Sequence, residues 1–114
     1  MNILESRPWG TYEILLDDNN CKVKKIIISP GQAPSYQYHF KRNEYWIVIH
    51  GSGTLTINDV ERELKSGDDV FIPKLCKHKF KNTGKVDLEF IEIQTGEYFG
   101  EDDIVRLEDY YGRV

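Results

Sequence analysis

A chain of 114 residues, 39% hydrophobic and 30% charged, suits a single domain with a modest buried core and excludes two. Fifteen Lys and Arg against nineteen Asp and Glu give a formal charge of -4, so nucleic acid is not expected as a partner and only a local basic pocket stays open. The longest uninterrupted apolar run, Tyr45 to Ile49, is far short of the roughly 20 residues of a membrane span, and Met1 to Gly10 holds no apolar secretory core. No membrane partner and a cytoplasmic location are expected. Cys21 and Cys76 are too few for a disulfide framework and read as free thiols.

Turn residues punctuate the chain at Asp17 to Asn20, Pro30-Gly31, Gly51 to Gly53, Asn58-Asp59, Lys65 to Asp68 and Asn82 to Lys85. Between them lie Cys21 to Ile28, Glu44 to Ile49, Gly53 to Ile57, Asp69 to Ile72 and Val86 to Gln94, which have strand length and are rich in Ile, Val, Thr, Tyr and Phe. Thr54 to Ile57, Asn58-Asp59 and Val60 to Leu64 together predict a hairpin with a two-residue turn. Gly51-Ser52-Gly53 reads as a hairpin turn rather than a phosphate loop, because no helix or lysine follows it. No extended 3.6-residue apolar period runs from Met1 to Gln94, which excludes parallel strands joined by helices and leaves a sandwich or small barrel. After Gly100, the acids Glu101 to Asp103 ahead of Ile104 to Leu107 predict a short helix. Trp9, Trp46, Phe71, Phe80 and Phe90 are expected in the core.

A strand with one buried face sends alternate residues inward, so polar residues that share parity with core residues are the informative ones. Glu92 and Gln94 share a face with Leu88 and Phe90. Gln37 shares parity with His39, Glu44 with Trp46 and Val48, and His78 with Phe80 and Asn82. A histidine taken alone is more often a hydrogen-bonded structural residue than a ligand. Two imidazoles, a carboxylate and the amide oxygen of Gln37 brought together inside a small barrel would form a mixed nitrogen and oxygen site. Such a set suits a divalent first-row ion, with zinc, manganese, iron, cobalt and nickel all compatible.

The spacing of these residues resembles the two cupin motifs. Gly31, five residues, Gln37, Tyr38, His39, four residues, Glu44, six residues and Gly51 resemble the first, with Gln37 where many cupins have histidine. Gly67, five residues, Pro73, then His78 and Asn82 resemble the second, with Leu75 in place of its usual glycine. Arg7 to Gly10, Pro30-Gly31-Gln32, Gln37 to His39 with Arg42, Glu44 to Trp46, Ile91 to Gly96, Gly100 to Arg106 and Tyr111 to Arg113 look like the type II mannose-6-phosphate isomerase domain. The resemblance runs from residue 7 to residue 113. It implies a small cupin barrel, also called a double-stranded β-helix or jelly roll, filling residues 1–114 as one domain, to which the short C-terminal helix read above would be added. In that family the domain often follows a mannose-1-phosphate guanylyltransferase domain. The present sequence carries only the former and is expected to stand alone or beside a separate guanylyltransferase chain. Tyr45 departs from the family, which commonly has histidine there, and is expected to retune the pocket.

Carried over by position, the resemblance implies metal ligation by Gln37, His39, Glu44 and His78, zinc being the first expectation, and an active-site role for Arg106. The reaction so implied interconverts mannose 6-phosphate and fructose 6-phosphate. It needs a base that is not a metal ligand, and Glu92 is the candidate by its parity. It also needs cations for the phosphate, for which Lys41, Arg42 and Arg113 are candidates beside Arg106. The alternative is a metal-binding cupin without this activity that binds a sugar phosphate or nucleotide sugar. Exposed sheet edges make a homodimer the expected assembly.

Overall fold

The computed structural model describes residues 3–108. The described residues form eleven strands and no helix: β1 (Ile3–Arg7), β2 (Gly10–Asp17), β3 (Cys21–Ile28), β4 (Tyr36–Tyr38), β5 (Arg42–His50), β6 (Ser52–Ile57), β7 (Val60–Lys65), β8 (Asp69–Ile72), β9 (His78–Lys81), β10 (Leu88–Gly96) and β11 (Val105–Glu108). They pair as two antiparallel sheets, β1-β2-β3-β10-β5-β8 and β11-β4-β9-β6-β7, in the manner of a double-stranded β-helix. The sheets meet through aromatic side chains: Trp46 of β5 stacks on Phe80 of β9 at 5.5 Å between centroids, and Phe80 lies 5.2 Å from Phe90 of β10.

What positions the site is a gradient along the inward rows. Strand β10 is the hub, pairing with β3 on one side and β5 on the other. One row joins Ile26, Phe90 and Val48. The next joins Lys24, Glu92 and Trp46, and the one beyond joins Lys22, Gln94 and Glu44. The inner face is therefore apolar at one end of the barrel and charged at the other, with Trp46 at the boundary. All nine of these side chains are buried.

The hairpin at Asn58-Asp59 forms with Ile57 opposite Val60, and both turn residues take positive φ, 46° and 69°, as a two-residue turn between right-twisted strands requires. Gly51 does a different job from the hairpin turn expected there. Strands β5 and β6 belong to different sheets, so Gly51 is the corner at which the chain changes sheet. Its φ is 81°, and a Cβ there would stand 2.6 Å from the Asp87 carbonyl oxygen. Phe71 is 57% exposed rather than core, because β8 turns Val70 and Ile72 inward and sends Phe71 out beside Tyr45, its cross-strand partner. The expected helix after Gly100 is absent. Asp103 spends its carboxylate on the Phe40 and Lys41 backbone amides, at 3.1 and 3.0 Å, and Val105–Glu108 pairs with β4 as β11.

Leu75, where the cupin pattern has glycine, keeps a left-handed conformation with φ 67° and donates its amide to the His39 carbonyl at 2.8 Å. A leucine there carries strain that glycine would not. Leu75→Gly is therefore expected to raise stability by up to about 1 kcal/mol, read from the urea midpoint.

Candidate metal centre and its cavity

Strands β4, β5 and β9 and the turn after β4 deliver the ligand side chains to the charged end of the barrel. His39, Glu44 and His78 are 3%, 2% and 2% exposed, and each offers a ligand atom within 4.8 Å of the others. Glu44 spans the pair, with Oε2 3.2 Å from His39 Nε2 and Oε1 3.8 Å from His78 Nε2. Both rings are oriented from behind. His39 Nδ1 lies 2.6 Å from the Asp103 carbonyl oxygen and His78 Nδ1 lies 3.0 Å from the Cys76 carbonyl oxygen. Each carbonyl accepts an Nδ1–H, which fixes the tautomer and turns an unprotonated Nε2 toward Glu44, that of His78 without a partner and that of His39 beside Arg42 Nη2, the arrangement by which proteins orient metal-binding histidines.

The donor set fits a divalent ion on a second count. His78 Nε2 and Gln37 Oε1 are buried without a hydrogen-bond partner, and Gln37 is the cross-strand partner of His78. Orphaned buried acceptors are costly unless something else satisfies them. Two imidazole nitrogens, a carboxylate and an amide oxygen are what such an ion would take.

Electrostatics agree. Burial drives the His39 imidazole down to about 4, against the pull of Glu44, and burial also lowers His78, so both are neutral and able to ligate. Glu44 is held well below the ordinary carboxylate range: burial opposes this, but Arg42 and the two histidines outweigh it. Glu92, 5% exposed, moves the other way, raised by burial and by the charge of Glu44. The opposed shifts separate the two carboxyls: Glu44 stays ionised, as a ligand must, while Glu92 keeps its proton to higher pH.

A prediction for the metal-free chain follows from His39. Its folded value lies below the unfolded 6.5, so its contribution is full above about pH 6.5 and is lost as pH falls toward about 4. The loss for this one group is about 3 kcal/mol. Urea denaturation of chelator-treated protein across that window is expected to show the midpoint falling with pH, and added metal at pH 6.5 and above to raise it.

Of the cations expected to hold phosphate, Arg42 is 6% exposed and lies at the metal ligands, donating Nε to Glu44 Oε2 at 2.8 Å, with Nη2 3.3 Å from His39 Nε2. Lys41 does not line the cavity; its ammonium sits 5.4 Å from the Tyr98 ring centroid. Arg113 lies outside the described residues. Arg106 does line the cavity, opposite Gln37 in the β11–β4 ladder, and its Nε is buried without a partner. Tyr45 points away from the pocket: it is on the outer face of β5 and donates to Asp69, so its difference from the family leaves the ligand set untouched. Asn82 shares the inward parity but staples the barrel, donating to the Ile28 and Val86 carbonyls at 2.8 Å each and accepting from the Gly84 amide at 2.9 Å.

The family model described as mannose-6-phosphate isomerase, C-terminal, matches residues 3–109. The chain belongs to that family. It is 43% identical over 107 residues, 94% of its length, to a mannose-1-phosphate guanylyltransferase of Salmonella montevideo, and 45% identical over 108 residues, 95% of its length, to the xanthan biosynthesis protein XanB of Xanthomonas campestris. It spans 23% of the length of each of these relatives. Among solved structures, the capsular polysaccharide assembling protein CapF of Staphylococcus aureus matches 95% of this chain and 34% of its own, with a TM-score of 0.81 at 20% identity. That likeness shows the cupin fold. No helix among the described residues is long and apolar enough to cross a membrane.

Sequence reasoning missed part of the isomerase-family cavity. Arg7, Tyr12 and Lys24 line it, and of these only Arg7 falls in a motif that resembles the family. The signal for Lys24 was present, since it shares inward parity with Ile26 and Ile28 just as Glu92 does with Phe90.

Proposed function

We propose that this domain is a metal-dependent aldose-ketose isomerase that interconverts mannose 6-phosphate and fructose 6-phosphate, supplying precursor for GDP-mannose and polysaccharide. The observation that carries the reading is a cavity lined both by Gln37 and His78, the members of the ligand cluster that reach it, and by a separate buried carboxyl, Glu92, whose ionisation is displaced upward. The family and the polysaccharide relatives supply the substrate class.

Gln37, His39, Glu44 and His78 would hold the ion, zinc first. Bound there, it would act as a Lewis acid toward the carbonyl and hydroxyl oxygens of the sugar. Glu92 in its carboxylate form takes the proton from carbon 2, exchanges it with water at the enediol stage and delivers a proton to carbon 1, while a hydroxyl proton passes from oxygen 2 to oxygen 1. The carbonyl thereby moves from carbon 1 to carbon 2 through an enediol. The amide of Gln94 donates to Glu92 Oε2 at 2.8 Å and fixes the carboxyl for both transfers. Arg106, facing the cavity with a free donor, stabilises the oxyanion that develops between them. We place the protein in the cytoplasm, as a homodimer paired through a free sheet edge, and in the service of a guanylyltransferase, fused or separate.

The test is conversion of mannose 6-phosphate to fructose 6-phosphate by metal-loaded protein. Conversion that chelator abolishes and metal restores supports the isomerase. Stoichiometric metal binding without conversion contradicts it and leaves a sugar-binding cupin.

A further inference from the structure

The cavity holds a second cluster of charge, on the side of Glu92 away from the metal ligands. Lys24 pairs across the ladder with Glu92, and Glu92 with Trp46, so Lys24 stands two strands from β5, on the order of 10 Å at ordinary strand spacing. Lys24 is 4% exposed, and its ammonium lies 4.3 Å from the centroid of the Tyr12 ring. The Arg7 guanidinium lies 5.0 Å from the same centroid and donates to the Tyr12 hydroxyl at 3.0 Å. A buried ammonium persists where an anion meets it. Lys24 forms its ion pair with Glu101, from the segment between β10 and β11, and Lys22 is 4.0 Å from the same carboxylate oxygen. The Glu101 side chain is itself 51% exposed, so a carboxylate from the rim reaches in to neutralise a buried cation.

We infer that Arg7 and Lys24, gathered on Tyr12, form the seat of the substrate phosphate, and that Glu101 is a resident carboxylate which the phosphate displaces. The inference rests on the sugar-phosphate reading and adds where the anionic end lies. A phosphate dianion brings more charge and more acceptor oxygens than Glu101, and a guanidinium beside an ammonium is a donor set suited to it. With phosphate on this seat, an extended six-carbon chain runs past Glu92 and brings its carbonyl end to the ligand cluster. The seat is thus separated from the metal by the length of the substrate.

The experiment compares metal-loaded wild type with Arg7→Leu, Lys24→Met and Glu101→Gln, each checked for folding by circular dichroism, in calorimetric titration with inorganic phosphate. Arg7→Leu and Lys24→Met are expected to weaken phosphate binding by about tenfold or more, and Glu101→Gln to tighten it. Opposite signs are the signature, because a purely structural Lys24–Glu101 pair would lose affinity when either partner is removed. Should Lys24→Met fail to fold, Arg7→Leu and Glu101→Gln, whose side chains are more exposed, carry the comparison. Weaker binding in Glu101→Gln, or affinity unmoved in Arg7→Leu, overturns the seat. Turnover separates this inference from the reading beneath it. Wild type that binds phosphate with the expected signs but converts no mannose 6-phosphate keeps the seat and loses the isomerase. Wild type that converts mannose 6-phosphate with a KM unmoved by Arg7→Leu keeps the isomerase and loses the seat.

Discussion

Replacing Glu92 by glutamine is expected to cut turnover of mannose 6-phosphate by about 10²–10⁴-fold, the usual worth of a positioned base, while metal content stays that of the wild type. The amide has the size and shape of the carboxyl but accepts no proton. Glu92 sits in the row between Lys24 and Trp46, next to the ligand row rather than in it, and glutamine keeps beside Glu44 the uncharged form that the carboxyl favours there, so metal content is expected to be retained. The fold should tolerate the change well. A buried carboxyl held above its ordinary range by burial and by Glu44 is neutral over much of the working range, and glutamine reproduces that neutral form. The check is kcat beside zinc stoichiometry and urea midpoint for the two proteins. A large fall in kcat with the other two unchanged assigns proton transfer to Glu92, and unchanged kcat removes it.

His78→Ala carries the other large effect, on metal and stability together. Zinc at a hundred times its Kd should stabilise the wild type by about 2.7 kcal/mol, which for a domain of this size is a rise of roughly 10 °C in Tm or more. The alanine variant loses the ring whose Nε2 is bare and buried at the cluster, and with it most of that rise. Thermal unfolding with chelator and with zinc makes the comparison within each protein, so the cavity left by the ring cancels. Equal zinc shifts in both proteins would contradict ligation by His78.

The sequence showed the inward rows through parity alone. Leu88 and Phe90 are plainly core, so Glu92 and Gln94 two and four residues on from Phe90 must enter the same interior, and the register of β10 against β3 and β5 bears this out. The hairpin at Asn58-Asp59 was equally legible, because its turn chemistry is local. The acids after Gly100 misled for the opposite reason. They carry a helix-start pattern, but Asp103 answers to backbone amides 62 and 63 residues away and β11 pairs with β4, contacts that no local propensity encodes. Arg42 and Lys41 show the same limit. Adjacent in sequence and alike in charge, they part company because β5 turns Arg42 into the ligand cluster and leaves Lys41 beside Tyr98. Tyr45, one residue from the ligand Glu44, falls on the outer face for that same alternation. Lys24 was within reach of the parity rule. Its partnership with Glu101 was not, since 77 residues separate the two.

The central claim is that one cavity joins a metal-binding cluster to a carboxyl that moves a carbon-bound proton. Incubating metal-loaded protein with mannose 6-phosphate in deuterated water, and following the sugar carbons by nuclear magnetic resonance, tests it most directly. The account predicts deuterium entering at carbon 1 of fructose 6-phosphate and at carbon 2 of recovered mannose 6-phosphate with the wild type, and neither with Glu92→Gln that holds the same zinc. Exchange by Glu92→Gln at the wild-type rate, or wild-type exchange that survives removal of the metal, would contradict it.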